Sequence, residues 1–394
     1  MSLASDPSLS LYVHLPWCVR KCPYCDFNSH GVGREAIADH TYVAALIRDL
    51  ESDLPLLHSR RFQSVFFGGG TPSLFSAAAL QRLFAVLERN DCLGPDAEIT
   101  LEANPGSAEA GRFADYRALG INRISLGVQS LNDESLVTLG RIHDSADAIR
   151  AAGLALAAGF AEINMDMMYG LPGQTPESAM DDLRRLLALR PTHVSWYQLT
   201  IEPNTAFHAH PPVLPDDDTI WEMHVQGRAL LETAGFRQYE VSAWAAPGHE
   251  CRHNINYWEF GDYLGVGAGA HGKLTDVERG TVSRHTRHRL PERYMQLAGT
   301  PAAVVRRQDL AAPDLIIEFM LNACRLTRGF PLSLFTDRTG LAPDALGPGL
   351  ARARRLGLLE WNGESAKPTE LGRRHLNDLL QLFLPEETDL RASA

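Results

Sequence analysis

The chain has 394 residues, 45% of them hydrophobic and 22% charged, which is enough for a large core and a second domain. Its formal net charge of −11 argues against a nucleic-acid-binding protein, because neutralising phosphates requires a surplus of Lys and Arg. Residues 1–10 lack the basic and apolar regions of a signal peptide, and no apolar run is long enough to span a bilayer. We therefore expect a cytoplasmic protein without a transmembrane segment.

The first predicted strand, Leu11–Leu15, leads directly into a CxxxCxxC motif. Its cysteines are Cys18, Cys22 and Cys25. Iron–sulfur cubanes normally have four thiolate ligands, so a motif with three leaves one iron open to a small molecule. The spacing therefore predicts a [4Fe–4S] cluster whose open iron binds S-adenosylmethionine (SAM), as in radical SAM enzymes. The alternative is a zinc site. Its fourth ligand would be His14, His30 or Cys251.

Strand and helix signals alternate along the first half of the chain. The predicted strands are Leu11–Leu15, Ser64–Phe67, Glu98–Glu102, Arg123–Val128, Ile163–Met168 and Val194–Leu199. The predicted helices are Asp39–Leu54, one from the cap Ser76 to Asn90, one ending near Gly120, one from the cap Ser145 to Gly159, and one opened by Thr175-Pro176-Glu177 and ending near Leu189. Six βα units with apolar strands predict an α/β fold, a partial (β/α)6 barrel of parallel strands covered by helices. A doubly wound open sheet also fits the pattern.

Residues 201–300 interrupt this alternation, with one clear helical pattern at Asp217–Thr233. From about Ala312 the pattern is helical again, and it closes with two short strands around an Asn362-Gly363 turn and a helix from Glu370 to about Leu384. This order resembles a winged helix. Because Lys and Arg balance Asp and Glu over residues 350–394, we interpret it as a packing domain. We expect a barrel core (1–205), a barrel-associated segment (206–300) and a winged-helix-like domain (301–394).

Candidate site residues fall at the carboxyl ends of the predicted strands, where parallel α/β folds place their active sites. Glu102 ends the third strand, and a carboxylate there suits ribose hydroxyls or the SAM ammonium group, although an acid satisfied within the protein at a strand end fits equally well. Asp166 interrupts an apolar strand, and a buried charge is costly unless it is paired or binds a ligand. Gly68–Thr71 follows the second strand and can offer amides and a hydroxyl to a ligand, although a bare tight turn fits equally well. Gln129 and Arg141 are unremarkable from sequence alone.

The motif His253-Asn254-Ile255-Asn256-Tyr257-Trp258 joins an imidazole, carboxamides and two aromatic rings without a helical register. His is a common axial ligand of haem iron, and Tyr and Trp can stack on a porphyrin. The alternative, which the residues alone favour, is a plug in the barrel mouth. The ligand stays open because further histidines lie nearby: His249, His271, His285 and His288.

Taken together, the motifs resemble one family, the HemW haem chaperones, which are relatives of the oxygen-independent coproporphyrinogen III oxidase HemN. The motifs that carry the resemblance are LYVHLPWC from Leu11, CPYCDFNSH from Cys22, GGGTPS from Gly68, GVQ from Gly127, DMMYGLP from Asp166 and HNxxYW from His253. The resemblance covers nearly the whole chain, and the HNxxYW motif separates the chaperones from the oxidase.

The resemblance implies a protein that binds haem in the region of His253 and passes it to an apo-haem protein, with a membrane-bound respiratory enzyme as one such acceptor. Peripheral membrane association through that acceptor is a further expectation. By similarity to the oxidase, in which some positions serve a second SAM, the residues that line the SAM site are Tyr12, Tyr24, Gly69, Gly70, Thr71, Glu102, Gln129, Arg141, Asp166 and Thr200.

The alternative function is that of the oxidase, which decarboxylates the propionates of coproporphyrinogen III by radical chemistry. Two departures disfavour it: Phe27 stands where the oxidase has a further Cys, and ten residues precede the first predicted strand where the oxidase has an extension. Whether the chain is an enzyme is therefore left open. A winged-helix regulator has only the C-terminal pattern in its favour.

Overall fold

A mixed sheet of twelve strands organises the chain in a computed structural model that describes residues 3, 5–33, 37–106 and 111–385. The strands, including five outside this sheet, are β1 (Leu9–Leu15), β2 (Trp17–Cys18), β3 (His30–Gly31), β4 (Phe62–Gly69), β5 (Leu93–Ala103), β6 (Arg123–Gln129), β7 (Glu162–Tyr169), β8 (His193–Gln198), β9 (Arg237–Glu240), β10 (Ala243–Ala245), β11 (Asp262–Val266), β12 (His271–Asp276), β13 (Thr281–Arg287), β14 (Val304–Asp309), β15 (Phe330–Pro331), β16 (Leu359–Trp361) and β17 (Ser365–Pro368).

The helices cover the sheet or follow it in the chain. They are α1 (Asp39–Asp53), α2 (Ala77–Arg89), α3 (Phe113–Ala118), α4 (Asp133–Thr138), α5 (Ser145–Ala157), α6 (Pro176–Ala188), α7 (Ala206–Ala209), α8 (Asp217–Thr233), α9 (Arg252–Trp258), α10 (Pro291–Leu297), α11 (Ala312–Ala323), α12 (Leu332–Thr339), α13 (Gly347–Arg355), α14 (Glu370–Arg374) and α15 (Leu376–Gln381). None of the helices in the described ranges is long and apolar enough to cross a membrane.

The order of strands in the sheet is β14-β13-β12-β11-β1-β4-β5-β6-β7-β8-β10-β9. The six predicted strands are neighbours in chain order and all pair in parallel. A doubly wound sheet would reverse its order at a switch point, so the partial barrel is confirmed. Residues 206–300 extend both edges: β11 adds a parallel strand to β1, and β10 pairs antiparallel with β8.

Side chains of the parallel strands alternate between an apolar outer face and a polar inner face. On β1, the odd-numbered residues are buried in the core that the strands share with α1 and α2. The even-numbered Ser10 faces the other strands and hydrogen-bonds to Ser64 of β4, with 2.7 Å between the two Oγ atoms. The barrel therefore has a polar lumen, although its strands read as nearly continuous apolar runs.

The C-terminal region has a hydrophobic core of its own, built from α11 to α15 and a small sheet in the order β15-β17-β16. The predicted hairpin is confirmed: β16 and β17 pair antiparallel around a turn in which Gly363 has a φ of 93°. Two residues of the preceding segment, Phe260 and Val282, join this core. The boundaries at 205 and 300 stay predictions.

Three predicted local features are wrong. Asp144, not Ser145, caps α5, because its side chain accepts from the Asp147 N–H in a capping box. The last predicted helix is broken at His375 into α14 and α15. The HNxxYW motif does have a helical register, since it forms most of α9.

Candidate functional site

The three cysteines lie in a loop that is fixed at both ends. Cys18 ends β2, which pairs in parallel with β3, so the chain returns beside its own starting point. Near the far end of the loop, the Asn28 side-chain amide donates to the carbonyl oxygens of Ala268 and Arg289, at 2.9 Å each. The loop is thereby tied to the segment between β11 and β12 and to the start of α10.

Each of the three sulfur atoms has a polar neighbour. Thr71 Oγ1 donates to Cys18 Sγ at 3.4 Å. Arg141 Nη1 donates to Cys22 Sγ at 3.6 Å, and Ser29 Oγ lies 3.6 Å from Cys25 Sγ. All six cysteines of the chain are free thiols. Among the described residues, no group of three or more His, Cys, Asp or Glu is spaced to hold a single metal ion.

Burial raises the pKa of the Cys18 thiol to about 11, although the Thr71 hydrogen bond opposes this shift. A buried thiol is a poor ligand until a positive charge stabilises its thiolate. Arg141 supplies such a charge beside Cys22, to whose sulfur it donates. The neighbouring Tyr24 and Cys22 hold the pKa of Arg141 above the ordinary value against the effect of burial. The Cys18 thiol thus needs a positive charge beside its sulfur before it can ionise at neutral pH.

The Gly68–Thr71 turn packs against the cysteine loop rather than offering its amides to a ligand. The N–H groups of Gly70 and Thr71 donate to Leu15 and Trp17 carbonyl oxygens, both at 2.8 Å, and the Gly69 N–H donates to Glu102 at 3.2 Å. A Cβ on Gly70 would lie 2.7 Å from the Trp17 oxygen, so glycine is required for this close approach. The glycines are therefore explained by the tight turn, which was the alternative to a ligand-binding loop. The Thr71 hydroxyl donates to Cys18 Sγ.

Two carboxyl groups line the same cavity, Glu102 near the carboxyl end of β5 and Asp166 within β7, three residues before its end. Burial and the nearby Asp166 carboxylate raise the pKa of Glu102 to about 8, against the Gly69 hydrogen bond. Burial also raises the pKa of Asp166, although hydrogen bonds from Ser195, Asn164 and Ser125 oppose the shift. Such a pair is stabilised by a cationic or hydroxyl-bearing ligand between or beside the two groups.

Sequence reasoning missed several residues that complete this site. Tyr197 on β8 donates to Gln129 Oε1 at 2.6 Å, and Gln129 has a φ of 69°, which is rare for a residue with a side chain. Asn104 joins Arg141 to Thr71, donating to the Thr71 hydroxyl at 2.8 Å. The signal that could have found Tyr197 is its place on the inner face of a strand, two residues after Ser195.

The predicted site residues line two adjacent cavities that share Gly69 and Glu102. We call the first the cluster cavity: it measures about 330 Å³ and contains the three cysteines with most of the predicted positions, namely Tyr24, Gly69, Gly70, Thr71, Glu102, Gln129, Arg141 and Asp166. The second, the tyrosine cavity, measures about 680 Å³ and is lined by Tyr12, Tyr257 and Tyr263 besides Gly69 and Glu102. Phe27 also borders both cavities.

Thr200 is not brought to either cavity. It is exposed, donates to Glu202 at 2.9 Å, and lines a third cavity of about 720 Å³ between the end of β8, α8 and α14. We call this third space the arginine cavity, after four of its lining residues. They are Arg228, Arg325, Arg373 and Arg374.

The HNxxYW helix, α9, closes the amino end of the barrel, opposite the cysteines. His253 is 3% exposed, and its Nδ1 lies 3.0 Å from Ser64 Oγ near the start of β4. Ser64 is five residues before Gly69, which corresponds to about 16 Å along the strand. Burial lowers the pKa of His253 to about 3, so its ring is neutral. This placement matches the alternative interpretation of the motif, in which its side chains plug one end of the barrel. The role of His253 as a haem ligand stays a prediction.

Two of the three candidate zinc ligands, Cys251 and His14, are engaged by other partners. Cys251 lies at the amino end, with its Sγ 3.3 Å from Glu98 Oε1, so it is remote from the three-cysteine motif. Both ring nitrogens of His14 have partners, the Tyr12 hydroxyl at 3.0 Å and the Asn28 carbonyl oxygen at 2.9 Å. Neither side chain is placed to complete a fourth coordination position beside Cys18.

Comparisons with known proteins identify the family of the chain and of its fold. The model of the Radical SAM superfamily matches residues 12–186, and that of the HemN C-terminal domain matches residues 310–375. The chain is 49% identical to the heme chaperone HemW of Escherichia coli K12 over 380 residues, which are 96% of this chain and 99% of that protein. It is 46% identical to HemW of Haemophilus influenzae over 97% of this chain and 99% of the relative.

Among solved structures, coproporphyrinogen III oxidase HemN from Escherichia coli, described as a radical SAM enzyme, matches with a TM-score of 0.80. The identity is 25%, and the match covers 96% of this chain and 90% of the oxidase. The fold is thus that of the radical SAM proteins, while the sequence is much nearer to the chaperones. The chain belongs to the HemW family of radical SAM proteins.

Proposed function

We propose that this protein binds haem and transfers it to apo-haem proteins, on a scaffold that holds a [4Fe–4S] cluster and SAM. The observation that carries this proposal is the 49% identity, over nearly the full length of both chains, to a protein named as a heme chaperone. The finer expectations, a cytoplasmic location and an acceptor among membrane-bound respiratory enzymes, belong to the proposal as well.

In this proposal, Cys18, Cys22 and Cys25 hold the cluster. The cluster cavity fits it because the three thiols are free, line one space and have no fourth cysteine beside them. Arg141 and Thr71 stabilise two of the thiolates by hydrogen bonds to sulfur. A bound cluster supplies an electron and one open iron position. The residues around it set the charge and exclude water.

SAM is proposed to occupy the space on the shared wall of the two cavities. Glu102 and Asp166 are the anionic groups there, and a SAM ammonium or ribose hydroxyl would relieve their mutual repulsion. The predicted SAM positions divide between the cavities: Tyr12 lines the tyrosine cavity, and Tyr24, Gln129 and Arg141 line the cluster cavity. This division supports room for a second SAM, as the resemblance to the oxidase implies.

The test is anaerobic reconstitution of the full chain followed by haem titration and transfer. We expect a Soret band that saturates with one haem per chain and then moves to apomyoglobin, used here as the acceptor probe. A wild-type protein that binds no haem, or that binds it and never releases it to apomyoglobin, contradicts the chaperone function. Serum albumin in place of this protein controls for nonspecific haem exchange.

The oxidase activity is the second candidate, favoured by the TM-score of 0.80 to HemN. Phe27, 62% exposed at the border of both cavities, disfavours it because the resemblance places a Cys there in the oxidase. We expect no conversion of coproporphyrinogen III in an anaerobic assay with SAM and a strong reductant. Turnover at a typical enzyme rate, roughly 1 s⁻¹ or faster, would establish the second candidate instead.

A further inference from the structure

The arginine cavity concentrates positive charge in a chain that is strongly acidic overall. Four guanidinium groups line it against two carboxylates, Asp217 and Glu370, whereas the whole chain has a formal net charge of −11. Arg228 lies 3.3 Å from Glu370 and Arg325 lies 2.9 Å from Glu240, so two of these four cations are paired. The surplus makes the cavity a binding site for a ligand with carboxylate groups.

The two arginines of α14, Arg373 and Arg374, form no ion pair within the described residues, although Arg373 Nη1 donates to the Pro368 carbonyl oxygen at 3.0 Å. The guanidinium of Arg374 stacks on the Trp221 ring, 4.2 Å from its centre. Burial and the neighbouring Arg228 lower the pKa of Arg373, which shows that the two positive charges repel each other. A pair of carboxylates at this position would relieve the repulsion and form charge-assisted hydrogen bonds.

One imidazole of the cavity wall is held in place and keeps a free nitrogen. His224 Nδ1 lies 3.0 Å from the Tyr169 hydroxyl, and the ring stacks on Trp221 with 5.2 Å between centres. Within the described residues, no hydrogen bond of its Nε2 is found. Burial, with the charges of Arg228 and Arg373, lowers the pKa of His224, so the ring is neutral, the form that binds iron.

This orientation is the one that metal-binding histidines use. When Nδ1–H donates to an oxygen, the tautomer is fixed and the Nε2 lone pair is directed outward. The Tyr169 hydroxyl, which can accept or donate, takes the acceptor role when Nε2 binds a metal; its own ring stacks on Trp196, 4.7 Å between centres, so the hydroxyl is itself positioned. A cavity of about 720 Å³ with aromatic walls suits a planar macrocycle.

We propose that haem binds in the arginine cavity, with His224 Nε2 as the axial iron ligand and Arg373 and Arg374 pairing with the propionates. This inference rests on the proposed function and names the site within it. By contrast, His253 is 3% exposed and closes the barrel, so iron could reach it only if α9 left its place. The arginine cavity is bordered by side chains that are exposed, such as Arg374, so haem can leave it for an acceptor.

The first test compares haem titrations of the wild type, His224→Ala and His40→Ala, the last an exposed histidine on α1 as control. We expect His224→Ala to weaken haem binding by about tenfold or more and to shift the Soret band, because the axial bond is lost. Added imidazole should restore the spectrum. His224→Ala with wild-type affinity and spectrum overturns the inference, while a wild type that binds no haem overturns the proposed function.

The second test addresses the propionates. The double variant Arg373→Ala/Arg374→Ala should weaken haem binding by about tenfold or more, since a hydrogen bond to a charged group contributes about 1.5–3 kcal/mol. The matched control is Arg354→Ala/Arg355→Ala, which removes two exposed arginines from α13. Haem dimethyl ester should bind the wild type and the Arg373/Arg374 variant equally. Equal haem affinity in both double variants contradicts the inference.

A third measurement covers the case in which His224→Ala fails to fold. Tyr169→Phe keeps the ring stacking and removes only the oxygen beside Nδ1. In the ferrous haem complex, resonance Raman spectra should then show a lower iron–histidine stretching frequency than in the wild type, because the imidazole loses basicity. An unchanged frequency in a folded Tyr169→Phe protein also overturns the assignment of His224.

Discussion

The two ends of the barrel lumen are both polar, but opposite charges meet at the amino end and like charges meet at the carboxyl end. At the amino end, Arg123 lies 3.5 Å from Glu98 and 3.2 Å from Glu162, and His249 lies 2.8 Å from Glu162. At the carboxyl end, Glu102 and a second acid line the same cavity, and the pKa of Glu102 is raised to about 8. The charged groups at the amino end pair with one another, whereas the two carboxyl groups at the carboxyl end would be stabilised by a cationic ligand.

This difference teaches which polar groups of a lumen are structural. Buried charges that meet opposite charges fix one arrangement of the elements. Glu98, held by Arg123, also accepts a hydrogen bond from the backbone N–H of His253 at 3.1 Å and so fixes the start of α9. Buried charges that meet like charges are tolerated at binding sites, where a ligand completes them. We therefore read the carboxyl end as the binding end.

The largest effect expected at the binding end is the loss of iron from the triple variant Cys18→Ser/Cys22→Ser/Cys25→Ser. All three thiols line the cluster cavity, so anaerobically reconstituted wild type should contain about four irons per chain and the variant none. Iron analysis and the visible absorption measure this. The control is Cys92→Ser, which alters a buried thiol elsewhere in the core. Full iron content in the triple variant would sink the cluster assignment.

The largest effect expected at the amino end is on stability. Arg123→Met leaves Glu98, 8% exposed, without its cation, and breaking a buried pair lowers the free energy of unfolding by about 3–5 kcal/mol. Anaerobic chemical denaturation measures it. Arg61→Met, which breaks a pair with exposed Asp91, is the control and should cost below about 1 kcal/mol. Similar losses in the two variants would contradict the structural role of the amino end.

A smaller effect, on affinity, is expected from the acid pair. Glu102→Gln and Asp166→Asn should each weaken SAM binding by about 10- to 100-fold in calorimetry, because each removes a charge-assisted hydrogen bond. The fold should be unaffected, since neither carboxylate forms an ion pair with a cation within the described part of the chain. Glu134→Gln, on the exposed face of α4, is the control. Wild-type SAM affinity in both variants would remove this site.

The pH dependence of SAM binding sharpens the same prediction. Because the pKa of Glu102 is about 8, its carboxylate form and therefore SAM affinity should increase as the pH rises towards and past 8. The ligand-free protein shows the opposite sign: a carboxyl whose folded pKa is raised loses stability as the pH rises from about 4.3, the unfolded value, to the folded one. Glu102→Gln should flatten both curves.

The smallest effect is expected from His253→Gln, which tests whether the amino end also binds haem. The change weakens the hydrogen bond to Ser64, so it should lower the free energy of unfolding by about 1 kcal/mol and leave the Soret band of bound haem unchanged. Haem titration and denaturation of the same preparation measure both. A lost or shifted Soret band would instead support the predicted haem ligation by the HNxxYW motif.

Most of the fold could be predicted because hydrophobic residues recur with the helical or strand period on the faces of helices and strands that form the core. The cap at Ser76 and the Thr175-Pro176 start of α6 are confirmed, since capping depends on a few neighbouring residues. The register of α9 was missed for a physical reason. Its buried residues, His253 and Asn256, are spaced as in a helix but are polar, because the surface that they cover is the polar lumen.

Site residues could be predicted where the residue type and its spacing imply a chemistry. They were missed where the site forms only when side chains from distant elements meet. The cysteine spacing indicates a cluster by itself, but nothing local marks Arg141, which reaches Cys22 from 119 residues further along the chain. Tyr197 and Gln129 meet across two strands in the same way. Thr200 ends a strand like the others, yet its side chain lies outside the shared space.

The attachment of Asn28 has a consequence for how the cluster is assembled. With two carbonyl oxygens holding Asn28 and the β2–β3 pairing closing the other end, the cysteine loop is restrained before any iron arrives. Ordering a free loop of this kind would cost about 1–2 kcal/mol of backbone entropy per residue, and here folding has already met much of that cost. Iron and sulfide arriving at this loop therefore meet three thiols that already line one cavity, so less entropy remains to be lost when the cluster forms.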